Sequence, residues 1–153
     1  MPLKSREKER GFTLIEIIIV VAIIAILAAI AVPAYISFIQ RAKETSVLVY
    51  ISKVKKAQET FRLENAADQY SGSFDELETT GFVEASVGAA TRVAHEYQLD
   101  LSAGVSSGEP FWHIQADPLA LSPNARHFYI DETGVVRYAV GASAGPGSAP
   151  IAH

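Results

Sequence analysis

Residues 14–32 read LIEIIIVVAIIAILAAIAV, nineteen positions in which Glu16 is the only ionisable group. A helix needs roughly 20 predominantly apolar residues to cross the hydrocarbon core of a bilayer, so this stretch demands either a membrane or a packed assembly of helices around it. The chain's 49% hydrophobic content and mean hydropathy of +0.18 are concentrated here. Thr13 stands just outside the run. A charged side chain in an apolar helix costs up to a few kcal/mol at the membrane centre and less near its edge, and an intramembrane carboxylate is a functional hypothesis by default.

Three readings of the amino terminus compete. Lys4, Arg6, Lys8 and Arg10 against Glu7 and Glu9 make residues 1–10 net +2, which suits the n-region of an export signal. A secretory signal cut after Ala29-Ile30-Ala31 would need a shorter apolar stretch of about 7–15 residues ending in polar sequence, whereas this one continues past Pro33 into AYISFIQRA. A plain single-pass anchor, its amino terminus in the cytoplasm by the positive-inside rule, explains the length and leaves Glu16 unexplained.

The third reading takes the whole segment. RGFTLIE followed by an apolar helix resembles the processing site of type IV pilins and type II secretion pseudopilins: a short basic leader ending in glycine, an apolar residue after it, and glutamate four residues further on, at Gly11, Phe12 and Glu16. The resemblance covers about 25 residues, GFTLIEIIIVVAIIAILAAIAVPAY. It implies that a prepilin peptidase cuts between Gly11 and Phe12 and methylates the new Phe12 amine. It also implies that Glu16, with Thr13 and Pro33, serves assembly, the carboxylate pairing with the amine of an identical or homologous subunit. An unpaired charge among apolar helices is expensive, so the pairing would set axial register. The amine of the same subunit, one helical turn away, is the other candidate partner.

Pro33 lacks an amide hydrogen and crowds the carbonyl of Ala29, so a kink is expected there. Pilins of this family carry a proline at this place, and in some of them helicity is thought to be lost just before it. Neither Gly nor Pro occurs from residue 34 to 71, and one helix is expected from Phe12 to about Glu64, roughly 80 Å at 1.5 Å per residue. In its second half Val47, Tyr50, Val54, Ala57 and Phe61 form an apolar stripe expected to pack on a globular head. SGSFDELETTG predicts a short helix with Ser73 and Glu76 as a capping box and Gly81 as its stop; a loop through EASVGAAT follows. Strands are expected at about 94–103, 110–116, 126–131 and 135–140, the last two joined by DETG as a hairpin. FYIDETGVVRY also resembles the terminal hairpin of small pilin-like proteins.

The expected fold is therefore α+β: a long amino-terminal helix, its hydrophobic half protruding, packed on a small antiparallel sheet. The divisions are a cleaved leader (1–11), a transmembrane or filament-core half-helix (12–33), an amphipathic half-helix (34–64), a globular head (65–140) and a flexible tail (141–153). Many pilins close the carboxy-terminal region with a disulfide; this chain has no cysteine, which also removes thiolate metal sites and a cysteine nucleophile.

Charge excludes another class. Segment 41–64 is net +3, while from residue 65 onward Arg92, Arg126 and Arg137 face eleven acidic residues, net −8. A nucleic-acid binder concentrates positive charge on its globular face, and this head does the opposite. The basic segment and acidic head offer opposite charges that could meet between subunits, through Lys53, Lys55 and Lys56 among others. His95, His113, His127 and His153 have no metal-ligand spacing. Asp117, Asp131 and Glu132 could in principle bind calcium, as loops of some pseudopilins do, but lack the spacing of an EF-hand. Ser102, Ser106 and Ser107 have no partnered histidine in sequence, and no phosphate loop occurs, so neither enzyme nor cofactor is expected. The fourteen aromatics invite electron transport along a fibre, but core packing accounts for them more simply.

The expected role is a structural subunit of a type IV pilus-like filament, stored in the bacterial inner membrane and then polymerised by an assembly platform into an extracellular fimbrium for adhesion, motility or uptake. A pseudopilin of a periplasmic pseudopilus is the alternative, and a membrane-anchored sensor or binding domain the second. Glu16 favours a polymerising subunit over the family's tip pseudopilin, which lacks it.

Overall fold

The computed structural model describes residues 11–83, 91–119 and 124–151. Residues 1–10 of the expected leader, most of the segment expected to be a loop (84–90), and His153 lie outside them. The chain divides into two compact units, Met1–Ile39 and Gln40–His153.

Helix α1 spans Leu14–Glu64, with Pro33 inside it. Among these residues the apolar run contains no glycine and no second proline, so nothing but Pro33 interrupts the hydrogen-bond ladder. The Ser37 hydroxyl donates to the Pro33 carbonyl at 3.1 Å. In the first unit every described residue through Phe38 is exposed, Phe12 and Ile30 at 82% and 72%. An exposed apolar surface of this extent marks a membrane-contacting or interaction site.

In the second unit the rest of α1 covers one face of a six-stranded antiparallel meander. Its strands are β1 (Thr91–Ala94), β2 (Tyr97–Ser106), β3 (Glu109–Pro118), β4 (Arg126–Asp131), β5 (Arg137–Val140) and β6 (Ala149–Pro150). The order follows the chain, every neighbour being the next strand, as short connections require. Leu99, Leu101, Trp112, Ile114, Ala116, Phe128 and Ile130 alternate onto the inner face and meet Val47, Tyr50, Ile51, Val54 and Ala57 of α1. Phe61 packs at the margin, partly buried. The tip between β2 and β3 is Ser107-Gly108, both with positive φ (54° and 88°), the backbone of a two-residue hairpin turn.

Three expectations need correction. Six strands replace three or four: β1 and β6 are short edge strands without readable alternation, and β2 starts at Tyr97 because His95 and Glu96 turn with positive φ. The capping box at the second helix, α2 (Phe74–Glu78), is not reciprocal. The Ser73 hydroxyl accepts from Asp75 N at 3.3 Å, but Glu76 accepts from the Ser71 hydroxyl at 2.6 Å, and Ser73 N donates to that same hydroxyl at 3.0 Å. Ser71 thus intercepts the bond that Glu76 was expected to make. Third, the segment read as a flexible tail from residue 141 is tied to the sheet through residue 151. β6 pairs with β5, Ala144 is buried, Arg137 Nη1 donates to the Ser148 carbonyl (3.2 Å), and Ile151 N donates to the Val136 carbonyl (2.9 Å).

Candidate functional site

The expected processing residues Gly11 and Phe12 and the assembly residues Thr13 and Glu16 sit together at the start of α1, while Pro33, also expected to serve assembly, lies within the helix. Gly11 and Phe12 precede the helix in open backbone. A Cβ on Gly11 would meet nothing within 4 Å, so the chain's own packing does not require glycine there.

Thr13 closes the helix start. Its backbone N–H and its hydroxyl both donate to Glu16 Oε2 at 2.8 Å, and Glu16 N donates back to the Thr13 hydroxyl at 3.3 Å. This is a reciprocal capping box, satisfying backbone donors that have no intrahelical acceptor. It was missed in the sequence, where the Thr-x-x-Glu spacing at 13–16 is the signal that would have found it. The carboxylate therefore has neutral partners within its own chain, and its negative charge remains uncompensated by any cation among the described residues of this turn. Placed at the positive end of the helix macrodipole, it is also favoured electrostatically.

The stripe residues Tyr50, Val54, Ala57 and Phe61 belong to the second unit and line the helix–sheet core. Gln58 is fully buried beside them and bonds Ser71. Much of the basic segment is engaged internally. Lys43 Nζ lies 2.5 Å from Glu96, Arg62 grips Asp68 at 2.8 Å and 3.2 Å, and Lys55 reaches over Gly134. Arg41, Lys53 and Lys56 remain exposed on α1.

The other candidates are dispersed. Asp131 stands opposite His113 in the register, while Asp117 is four residues further along β3 and bonds His127 Nδ1 at 2.6 Å, so Asp117 is not gathered with Asp131 and Glu132. Ser143, not Ser102, Ser106 or Ser107, reaches that pair, donating to Asp117 at 3.1 Å. The carboxylate lies between hydroxyl and imidazole, so the imidazole cannot take the hydroxyl proton directly.

A family model described as the prokaryotic N-terminal methylation motif matches residues 6–32. Comparison with curated proteins and with solved structures gave no match. The matched segment contains Gly11, Phe12, Thr13 and Glu16 and the whole apolar run with which α1 begins. Helix α1 is long and apolar enough to cross a membrane, and none of its most apolar window is buried within the chain. The methylation motif and the long apolar helix joined to a small antiparallel sheet together support membership of the type IV pilin and pseudopilin family.

Proposed function

We propose that this chain is a structural subunit, without enzymatic activity, of a type IV pilus-like filament. The precursor spans the bacterial inner membrane once, amino terminus in the cytoplasm. A prepilin peptidase cuts between Gly11 and Phe12 and methylates the new amine, and an assembly platform draws the subunit into an extracellular fibre. The observation that carries the reading is the methylation motif on a helix whose apolar side chains from Leu14 to Phe38 are all exposed. Burying that surface among like helices stabilises by about 25 cal/mol per Å², which supplies the drive for polymerisation.

Glu16 gives the polymer its register. In the precursor its carboxylate is held by Thr13. Cleavage produces a cation at Phe12, and a charge-assisted bond to a carboxylate is roughly twice as strong as a neutral one. Subunits stacked out of register would bury both charges unpaired, a strongly unfavourable state.

The test is mass analysis of the protein from a strain with prepilin peptidase, coupled to electron microscopy. A methylated start at Phe12 and surface fibres are expected, with fibres abolished and processing retained in Glu16→Ala. An intact leader overturns the reading in favour of a simple anchor. Processing without surface fibres assigns the chain to a periplasmic pseudopilus instead.

A further inference from the structure

Arginines among the described residues are engaged within the chain, with one exception. Arg62 grips Asp68, Arg92 and Arg126 lie over the rings of Tyr50 and Tyr138, and Arg137 donates to the Ser148 carbonyl. Arg41 is exposed on α1, and among the described residues its guanidinium has no partner. The charges next to it in sequence are already used: Lys43 Nζ lies 2.5 Å from Glu96, and Glu44 is buried 3.9 Å from Arg126.

Two rings precede this free cation. Tyr35 and Phe38 are 65% and 69% exposed, so core packing, the expectation for the aromatics, does not account for them. Tyr35, Phe38 and Arg41 stand three residues apart on one continuous helix, each a neighbour of the next along the same side. From Leu14 to Tyr35 the helix rises about 32 Å at 1.5 Å per residue, close to the roughly 30 Å of a hydrocarbon core. Tyr35 thus falls where acyl chains give way to headgroups, the level that an amphipathic ring favours. Arg41 lies about 9 Å further along, just past a headgroup layer about 5–8 Å deep. A helical side chain leans toward the amino terminus, so the Arg41 stem reaches back into that layer while its charge stays hydrated.

We propose that Arg41 binds the phosphate of an anionic phospholipid at the membrane face remote from the leader, with Tyr35 and Phe38 holding it at that depth. The guanidinium is a planar fork that takes phosphate oxygens in pairs. A zwitterionic lipid carries its own ammonium beside the phosphate, which repels Arg41, whereas one cation near an anionic surface gains about fivefold in affinity. The helix length selects a bilayer as the occupant of this face. Stacked helices impose no fixed distance between Leu14 and a ring pair, but a membrane imposes the one found. The contact belongs to the precursor and rests on the membrane-spanning part of the function proposed above. It gives the subunit a defined depth and a hold that extraction into a fibre must release.

The chain has no cysteine, so one introduced thiol can carry a reporter. Ala34 is exposed and lies about two turns before Arg41 on the same side, where the acyl chains of a lipid held at Arg41 would run. The full-length precursor bearing bimane at Ala34→Cys is reconstituted in phosphatidylcholine vesicles. A trace of phosphatidylglycerol or of phosphatidylcholine, nitroxide-labelled high on the acyl chain, is the quencher. Phosphatidylglycerol is expected to quench several-fold better at equal mole fraction. That advantage should vanish in Arg41→Gln, survive in part in Arg41→Lys and be unchanged in Lys56→Gln. Bimane at Ala25→Cys, near mid-membrane, should be quenched by a nitroxide deep in the acyl chain of either lipid. No quenching at Ala25→Cys means that α1 does not span, and overturns that reading together with this proposal. Quenching there, with the two lipids equal at Ala34→Cys or their difference indifferent to Arg41→Gln, overturns this proposal alone and leaves Arg41 to a carboxylate of a second copy.

Discussion

Gln58 and Ser71 exchange two hydrogen bonds in the interior: Gln58 Nε2 donates to the Ser71 carbonyl at 2.7 Å, and Ser71 N donates to Gln58 Oε1 at 3.0 Å. Gln58 is fully buried and Ser71 nearly so. The amide side chain imitates a strand partner, fixing the connection between α1 and α2 where the backbone has no ladder of its own. Gln58→Leu preserves volume but leaves a buried N–H and C=O without partners, each costing about 1–3 kcal/mol. A loss of about 2–4 kcal/mol is expected in denaturant unfolding of the head. A loss below 0.5 kcal/mol would show that water replaces the amide.

This pair also shows what the sequence could convey. Helix α1 was legible because nineteen apolar residues and the absence of glycine leave little alternative, and the inner face of β2 because Tyr97, Leu99 and Leu101 alternate. Gln58 was not, since a polar residue beside an apolar stripe reads as solvent-facing until its partner, thirteen positions away, is known. The Asp117–His127 contact depends on strand register, and β6 on two residues with no pattern. At the candidate site, Gly11, Phe12 and Glu16 stand out through their spacing, whereas the Thr13 contribution lies in a Thr-x-x-Glu spacing that becomes a capping box only once the helix is known to start at Leu14.

Tyr97 introduces a pH dependence at the alkaline end. Its phenol donates to the Arg126 carbonyl at 3.0 Å, and burial, followed by the charge of Glu44, pushes its pKa up to about 12. A phenol that stays protonated in the folded state adds stability that is intact below the ordinary tyrosine pKa of about 10 and is lost as pH rises through about 12. Unfolding free energy should therefore fall between those limits. Tyr97→Phe should cost about 0.5–1.5 kcal/mol at neutral pH for the lost hydrogen bond and remove most of this slope. An unchanged alkaline slope in Tyr97→Phe would assign it elsewhere.

At the hairpin between β4 and β5, Gly134 has φ +74°, and a Cβ there would collide with the end of the Lys55 side chain. Two effects predict that Gly134→Ala destabilises, and their sizes differ. Lys55 is flexible and can swing away at little cost, while a left-handed conformation costs a residue with a Cβ about 1–2 kcal/mol. Backbone strain should dominate. Gly134→Ala is expected to lose about 1–2 kcal/mol in thermal or urea unfolding, and adding Lys55→Ala should recover less than half of it. Full recovery in the double variant would reverse the order of the two effects.

The Thr13–Glu16 box makes the last prediction, which separates capping from charge pairing. Thr13→Val keeps the shape of the side chain but removes the hydroxyl that donates to Glu16 at 2.8 Å and accepts from its amide. Losing an N-cap costs about 0.5–2 kcal/mol, so the first turn of α1 should fray and the carboxylate lose its fixed position, although its charge is unaltered. Thr13→Ser restores both bonds. If register depends on a carboxylate held ready for the Phe12 amine, Thr13→Val should be cleaved and methylated normally yet yield several-fold fewer fibres, with Thr13→Ser close to the parent. Sheared-fibre yield, measured beside the mass of the processed amino terminus, reads the two steps independently. Equal yields from Thr13→Val and Thr13→Ser would mean that Glu16 finds its partner without help from the cap, leaving the charge alone responsible for alignment.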